Sequence, residues 1–295
     1  MGFDTAYESI SEETDSGHRW AFGTGFTDPL AGVDTSLPAG VDGDDLAAYC
    51  LMLGDDALIL SHRLQQWLAR APELEEETAL ANIALDLLGQ ARLLLTRAGA
   101  ADGSGRTEDD YAFGRGEREF RNVRLTEVTD ADFGGLIARL FVFSTWRLAL
   151  LARLRDSADP VLAAVAAMGV RELTYHRDYS AQWVIRLGDG TDYSRERIVA
   201  GLAAVGPLVP ELFEATAVER RLAAIRVAVD PAQLRPEFGA VLGRVLAAAT
   251  VDMPDAPALA RISGQAGRDG VHTEAMGYLL AELQSVARAM PGATW

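Results

Sequence analysis

The sequence predicts an all-α protein whose core is a bundle of four long helices. Three observations carry that expectation. From Asp44 onward the chain runs in long stretches rich in Ala, Leu and Arg, which are favourable helix formers. Alternating β-branched runs and Asn-Gly hairpin signals are missing. The stretch from Ala98 to Asp132 is too long for a helix-to-helix turn, so one connection in the bundle is a crossover.

Residues 1–43 mix Gly, Ser, Thr, Asp and Pro without periodicity and read as a flexible or partner-ordered extension ahead of a helical domain over 44–295. Periodicity places the four long helices at about 44–69, 73–97, 132–155 and 160–187. Further helices follow at about 194–205, 211–227, 236–250 and 266–290. The breaks have mechanisms. Pro72 and Pro160 suit the first turn of a helix, Gly99 suits a C-terminal cap, and Gly188-Asp189-Gly190 makes a turn. Glu73 to Glu77 set carboxylates at the positive end of the second helix dipole. Two tight hairpins joined by one long crossover between the second and third helices give the ferritin-like arrangement, with additional C-terminal helices.

The formal charge is −16 with 43 acidic side chains against 27 basic ones, every one of them Arg. Such a balance repels polyanions and excludes a phosphate-tracking nucleic-acid binder. A single cysteine, Cys50, excludes an internal disulfide and a Cys/His zinc cluster, and sits in the apolar stripe of the first helix. It fits a reducing compartment, and the cytoplasm is the expected location. Arginines interrupt the apolar runs before they reach the roughly 18–20 residues that cross a bilayer, so no membrane span is expected. The first twenty residues carry early acids and no apolar core of a signal peptide. There is no GxSxG, P-loop or GxGxxG motif.

A ferritin-like bundle keeps its di-metal site in one layer. Counting from turns near Ala71 and Ala158, Asp56 and Asp86 stand equally far from the first, and Ser144 and Glu172 equally far from the second. At about 1.5 Å rise per residue these four positions share one level. An active carboxylate site takes one Glu from each of two helices and a Glu-x-x-His pair from each of the others, because residues one turn apart reach the same ion. Here the first helix offers Asp56. The second offers Asp86 with Gly89 three residues on, the third Ser144, and the fourth Glu172 with Tyr175 three on and His176 four on. Both histidines are missing from i+3, and Ser144 replaces a carboxylate. Two Asp, one Glu and one displaced His do not enclose two iron ions, so the layer reads as degenerate.

The bland readings are amphipathic chemistry. Asn82, Asp86 and Gln90 repeat at i, i+4 and i+8 as a wet helix face would, although the surrounding leucines suit a helix buried all round with a polar seam. Glu172 and His176 form an ordinary i, i+4 pair in the plainest reading. If these groups are buried they must pair with a cation such as Arg, and a network then fills the volume a metal would take. Asp55 is expected to be exposed, and His62 and His272 to lie at the surface or an interface. Arg115, Arg118, Arg121 and Arg124 recur every three residues in the crossover and are candidates for docking an acidic partner or a phosphate-bearing cofactor. The alternative is a solvated segment with Glu117 and Glu119 as counter-charges.

Several blocks carry a resemblance: YCLMLGDDALILSHRLQQWL (49–68), APELEEETALANIALDLLGQARLLL (71–95), EREFRN (117–122), WVIRLGDGT (183–191) and GVHTEAMGYLLAELQSVARAMPGATW (270–295). In this order, from about residue 45 to the C-terminus, they resemble the PaaC-type subunit of the bacterial ring-1,2-phenylacetyl-CoA epoxidase. The resemblance implies a ferritin-like subunit without iron that pairs with a PaaA-type catalytic subunit holding the di-iron centre. It further implies that the catalytic partner epoxidises the ring of phenylacetyl-CoA in aerobic phenylacetate catabolism, with electrons from NADPH through a reductase carrying FAD and an iron-sulfur centre. No catalytic, cofactor or metal residue is carried over to this chain. Two other readings stay open: an autonomous metal oxidase or oxygenase using Asp56, Asp86, Glu172 and His176, and a free-standing helical binding module.

Overall fold

Asp42 begins the folded core by chemistry that recurs along the chain. Its carboxylate accepts from the Asp45 amide and starts α1 (Gly43–Gln65). In the computed structural model, which describes residues 30–254 and 257–293, α2 (Leu74–Ala101) returns antiparallel to α1, with Glu75, Glu76 and Glu77 in its first turn. Asp132 caps α4 (Phe133–Leu154), and Asp159 with Pro160 starts α5 (Pro160–Gly188). These four helices begin and end within a few residues of the expected positions.

The crossover is not featureless. It holds the short helix α3 (Glu108–Phe113), opened by a Thr107–Asp110 capping box, and two 3-10 turns at Glu117–Glu119 and Arg124–Thr126. After α5 come α6 (Asp192–Val205), α7 (Ala217–Ala224) and α8 (Arg235–Ala248). The expected helix at 211–227 is split, because Pro207 and Pro210 confine Gly206–Phe213 to a 3-10 run before Thr216 caps α7.

The expected helix over 266–290 is also corrected. Gly270 adopts φ +78°, and a Cβ there would lie 2.2 Å from the Arg118 carbonyl oxygen. This close approach keeps residues 266–273 as a strap across the crossover, and helix resumes only at α9 (Glu274–Leu283) and α10 (Ser285–Ala289). No strand occurs among the described residues.

The result is an all-α ferritin-like fold. The described residues from Val33 onward make one compact unit. The extension expected over 1–43 lies outside the described residues up to position 29, while Thr35 and Ser36 are tied to the bundle through their carbonyls, which accept from Arg97.

The added helices cover the bundle unevenly. α6 and α8 pack on α4, and α7 and α9 on α1. Among the described residues two helices, Leu74–Ala101 and Phe133–Leu154, are long and apolar enough to cross a membrane by length and composition, which corrects the expectation that arginines rule this out. Their environments differ. The apolar window of Phe133–Leu154 is 94% buried inside the protein, whereas that of Leu74–Ala101 is 50% buried.

Candidate functional site

The centre of the bundle is polar, and an arginine organises it. Arg147 of α4 is wholly buried. Its Nη1 lies 3.7 Å from Asp56 Oδ2 of α1, and its Nη2 donates to the Leu53 carbonyl at 3.0 Å and to Gln90 Oε1 of α2 at 3.5 Å. Gln90 in turn donates through Nε2 to Glu172 Oε2 of α5 at 2.8 Å. One chain of polar contacts therefore joins all four bundle helices. Gly169 makes room for it, since a Cβ there would meet Leu151 Cδ1 at 2.5 Å and Gln90 Cδ at 3.3 Å.

Asp56 is saturated. Arg268, in the strap before α9, grips it from Nη1 to Oδ1 at 3.0 Å and from Nη2 to Oδ2 at 2.8 Å, and the Val123 amide donates to Oδ1 at 2.8 Å. Burial pushes the Asp56 carboxyl up, and Arg268 and Arg147 pull against it. Burial pulls Arg147 down to about 10, with Asp56 opposing. Both effects express the cost of holding charge away from water, which the pairing offsets only in part.

Asp86 and His176 form a separate bridge between α2 and α5, His176 Nε2 standing 2.9 Å from Asp86 Oδ2. The histidine is fully buried while the Asp86 side chain is 35% exposed. Burial pushes Glu172 up to about 7, the Gln90 amide lowers it, and the neighbouring Asp86 charge raises it.

Asp56, Gln90, Arg147 and Glu172 thus share a layer, with Asp86 and His176 one turn away. The four-residue layer expected from the turn counts is corrected in two places. Ser61 Oγ donates to the Ala84 carbonyl and Gly54 packs on Leu95, which centres the first hairpin about two residues later than Ala71. A shift of about two residues in the centre moves the register by about four, one helical turn, so Asp56 faces Gln90 instead of Asp86. Ser144 Oγ stands 3.3 Å from Ser180 Oγ, which sets Ser144 about two turns, on the order of 12 Å, from the level of Glu172.

This donor set does not fit a di-iron centre. The Asp56 oxygens are taken by guanidinium and amide donors, two cationic side chains stand where metal would, and Gln90 is a neutral ligand at best. Among the described residues no group of three or more His, Cys, Asp or Glu is placed to hold a metal ion.

The crossover arginines separate into two kinds. Arg115 is buried and makes a two-pronged pair with Asp55, and its guanidinium lies 4.1 Å from the Phe120 ring centroid. Arg124 is buried against Glu211, Nε to Oε2 at 2.7 Å. The docking expectation is corrected for these two, which are structural. Arg118 is exposed and Arg121 half-buried, donating to the Arg118 and Phe120 carbonyls. Asp55, expected at the surface, is fully buried and also accepts from the Arg121 amide.

His272 is likewise not a surface residue. Its side chain and that of Glu127 are both fully buried, 2.7 Å apart at Nδ1 and Oε2. The all-round burial expected for the second helix fails at Leu85, which is 49% exposed. Sequence reasoning missed Arg147 and Arg268. The signal for Arg147 was an arginine inside the run FVFSTWRLALL, where only a buried counter-charge keeps it; no local signal marks Arg268.

The class the fold defines is an all-α ferritin-like bundle, here with a buried arginine set among the carboxylates and the amide of its central layer. The chain belongs to the family described as Phenylacetic acid catabolic protein, whose sequence profile matches residues 34–295. It is 41% identical over 252 residues to the C component of the 1,2-phenylacetyl-CoA epoxidase of Escherichia coli (strain K12), a match spanning 85% of this chain and 100% of that protein.

Proposed function

We propose that this chain is the non-catalytic structural subunit of a multicomponent phenylacetyl-CoA epoxidase, acting in aerobic phenylacetate catabolism in the cytoplasm. In this reading it buries a face of a PaaA-type di-iron subunit and holds that partner's helices in register. The partner activates oxygen, with electrons from NADPH through a reductase carrying FAD and an iron-sulfur centre.

The single observation behind the reading is the guanidinium of Arg147 lodged between Asp56 and Gln90, at the level where a metal-bearing bundle gathers its carboxylates. An arginine there stabilises the architecture and displaces the chemistry. The similarity to a component of an epoxidase supports the setting.

Reconstitution tests it. The catalytic subunit is assayed for phenylacetyl-CoA turnover with the reductase, with and without this chain. Copurification and a gain in turnover are expected on adding it. Unchanged turnover, with no complex on size exclusion, contradicts the proposal and favours a free-standing helical module.

A further inference from the structure

The four bundle helices are not covered alike. Helix α4 is packed by α5, α6 and α8, and α1 by α2, α7 and α9, whereas among the described residues the helices packed substantially on α2 are α1, α3 and α5. The apolar window of α2 is span-like in composition, yet half of it lies unburied. Apolar surface of that kind on a helix is ordinarily covered by another element.

The uncovered strip has the composition of an interface. Leu74 and Leu85 lie on one face of α2, eleven residues and so three turns apart, and are 73% and 49% exposed. On α5, Tyr175 is 50% exposed and stacks on Tyr179, ring centroids 6.2 Å apart. Tyr179 and Trp183 both donate to Glu76 of α2, which fixes this aromatic row against the start of that helix. Leu85 and Tyr175 are the sequence neighbours of Asp86 and His176, which bridge the two helices. Tyrosine and tryptophan side chains such as these are where binding energy concentrates, with the aliphatic neighbours excluding water around them.

The strip carries more acid than base. Glu75 and Glu77 stand in the first turn of α2, Asp86 sits at its centre with its side chain 35% exposed, and Glu172 is half-buried one turn from His176 with an amide as its hydrogen-bonding partner, while of the arginines on these faces Arg92 is paired with Glu108 and Arg171 lies beside Glu172. A second copy of this chain would bring the same acids to the contact, and an anionic bilayer would be repelled. A basic rim is what the charge complements.

We propose that the side of the bundle formed by α2 and α5 docks a companion subunit presenting an apolar helix face flanked by arginine or lysine. This rests on the companion role proposed above. Leu85 and Tyr175 anchor the contact, and the acids orient it.

The test uses the full chain and the PaaA-type catalytic subunit, with affinity measured by biolayer interferometry at several salt concentrations. Leu85→Asp with Tyr175→Asp is expected to weaken binding by about tenfold or more while the far-UV circular dichroism is unchanged, since both positions are half-exposed. Glu75→Arg with Glu77→Arg is expected to weaken binding and flatten its salt dependence. Tyr278→Ala with Val286→Ala, exposed on α9 and α10, is expected to leave affinity within about twofold. Variants of the strip that fold and bind like wild type overturn the proposal. So does wild-type self-association or vesicle binding that the same substitutions abolish. If wild type itself fails to bind the catalytic subunit, the companion role fails first, which separates the two outcomes.

Discussion

Asp56 and Arg147 meet across the middle of the bundle at 3.7 Å, both with side chains wholly screened from solvent. Neither helix offers water to either charge, so the pair and its neighbours must settle each other. Arg268 makes the closer contact, and Arg147 ties the same carboxylate to Gln90 and through it to Glu172.

Removing one counter-cation should therefore cost unequal amounts. Arg268→Ala strips the two-pronged partner from Asp56 and is expected to lower stability by about 3–5 kcal/mol, the range for breaking a buried pair. Arg147→Met leaves the Arg268 grip intact and fills similar volume, so its cost should be smaller, about 1–3 kcal/mol from the orphaned amide and carbonyl. Urea unfolding at pH 7 measures both. Equal losses would show that the two guanidiniums are interchangeable.

His272 is expected to be an imidazolium in the folded protein. Its Nδ1 faces the Glu127 carboxylate at 2.7 Å and its Nε2 the Phe120 carbonyl at 3.2 Å, and both of those oxygens only accept, so both ring nitrogens must donate. Burial alone pulls this histidine down, but the hydrogen bond and charge of Glu127, with help from Phe120 and Glu117, raise it above its ordinary 6.5. A raised folded value means the stabilisation is complete below the unfolded value and disappears as pH climbs through the folded one. The stability difference between wild type and His272→Gln should be largest near pH 6 and shrink at alkaline pH. A difference that grows with pH would contradict this protonation state.

Glu172 carries the opposite consequence for its own charge. Burial holds its carboxyl at about 7 against an ordinary 4.5, so ionising it opposes folding and the penalty builds as pH rises from 4.5 to about 7. Glu172→Gln should therefore raise the urea midpoint at pH 8 and change it little at pH 4.5. A variant less stable than wild type at pH 8 would mean that the ionised carboxylate has a favourable partner.

The strap that carries Arg268 depends on Gly270. With φ at +78° and the Arg118 carbonyl oxygen 2.2 Å from any Cβ, Gly270→Ala is expected to destabilise by more than about 1 kcal/mol. Hydrogen exchange should show faster exchange over residues 266–273 before the bundle helices change. Uniform acceleration across the chain would place the strap inside the cooperative core.

Much of this architecture was legible because it is written locally. Asp132, Asp159 and Pro160 announce helix starts through their own side chains, and the length of the crossover announces the topology. The polar layer was legible in kind but not in register, since a small shift at each hairpin centre becomes one or two full turns at the layer. Ser144 against Ser180 is the clearest case. The crossover arginines look periodic in sequence, yet Arg115 and Arg124 turn inward to Asp55 and Glu211, partners 60 and 87 residues away that no local pattern reveals. Gly270 broke a helix whose apolar spacing alone would have carried through, and the 3-10 run holding Pro210 took the first three residues of another, which starts only after Thr216.

Iron content after anaerobic loading tests the central claim most directly. The purified chain is incubated with excess ferrous iron, desalted, and assayed for metal alongside Asp86→Ala. The account predicts well under one ion per chain in both proteins. About two ions per wild-type chain, lost in the variant, would mean that the bundle houses a working di-metal site after all.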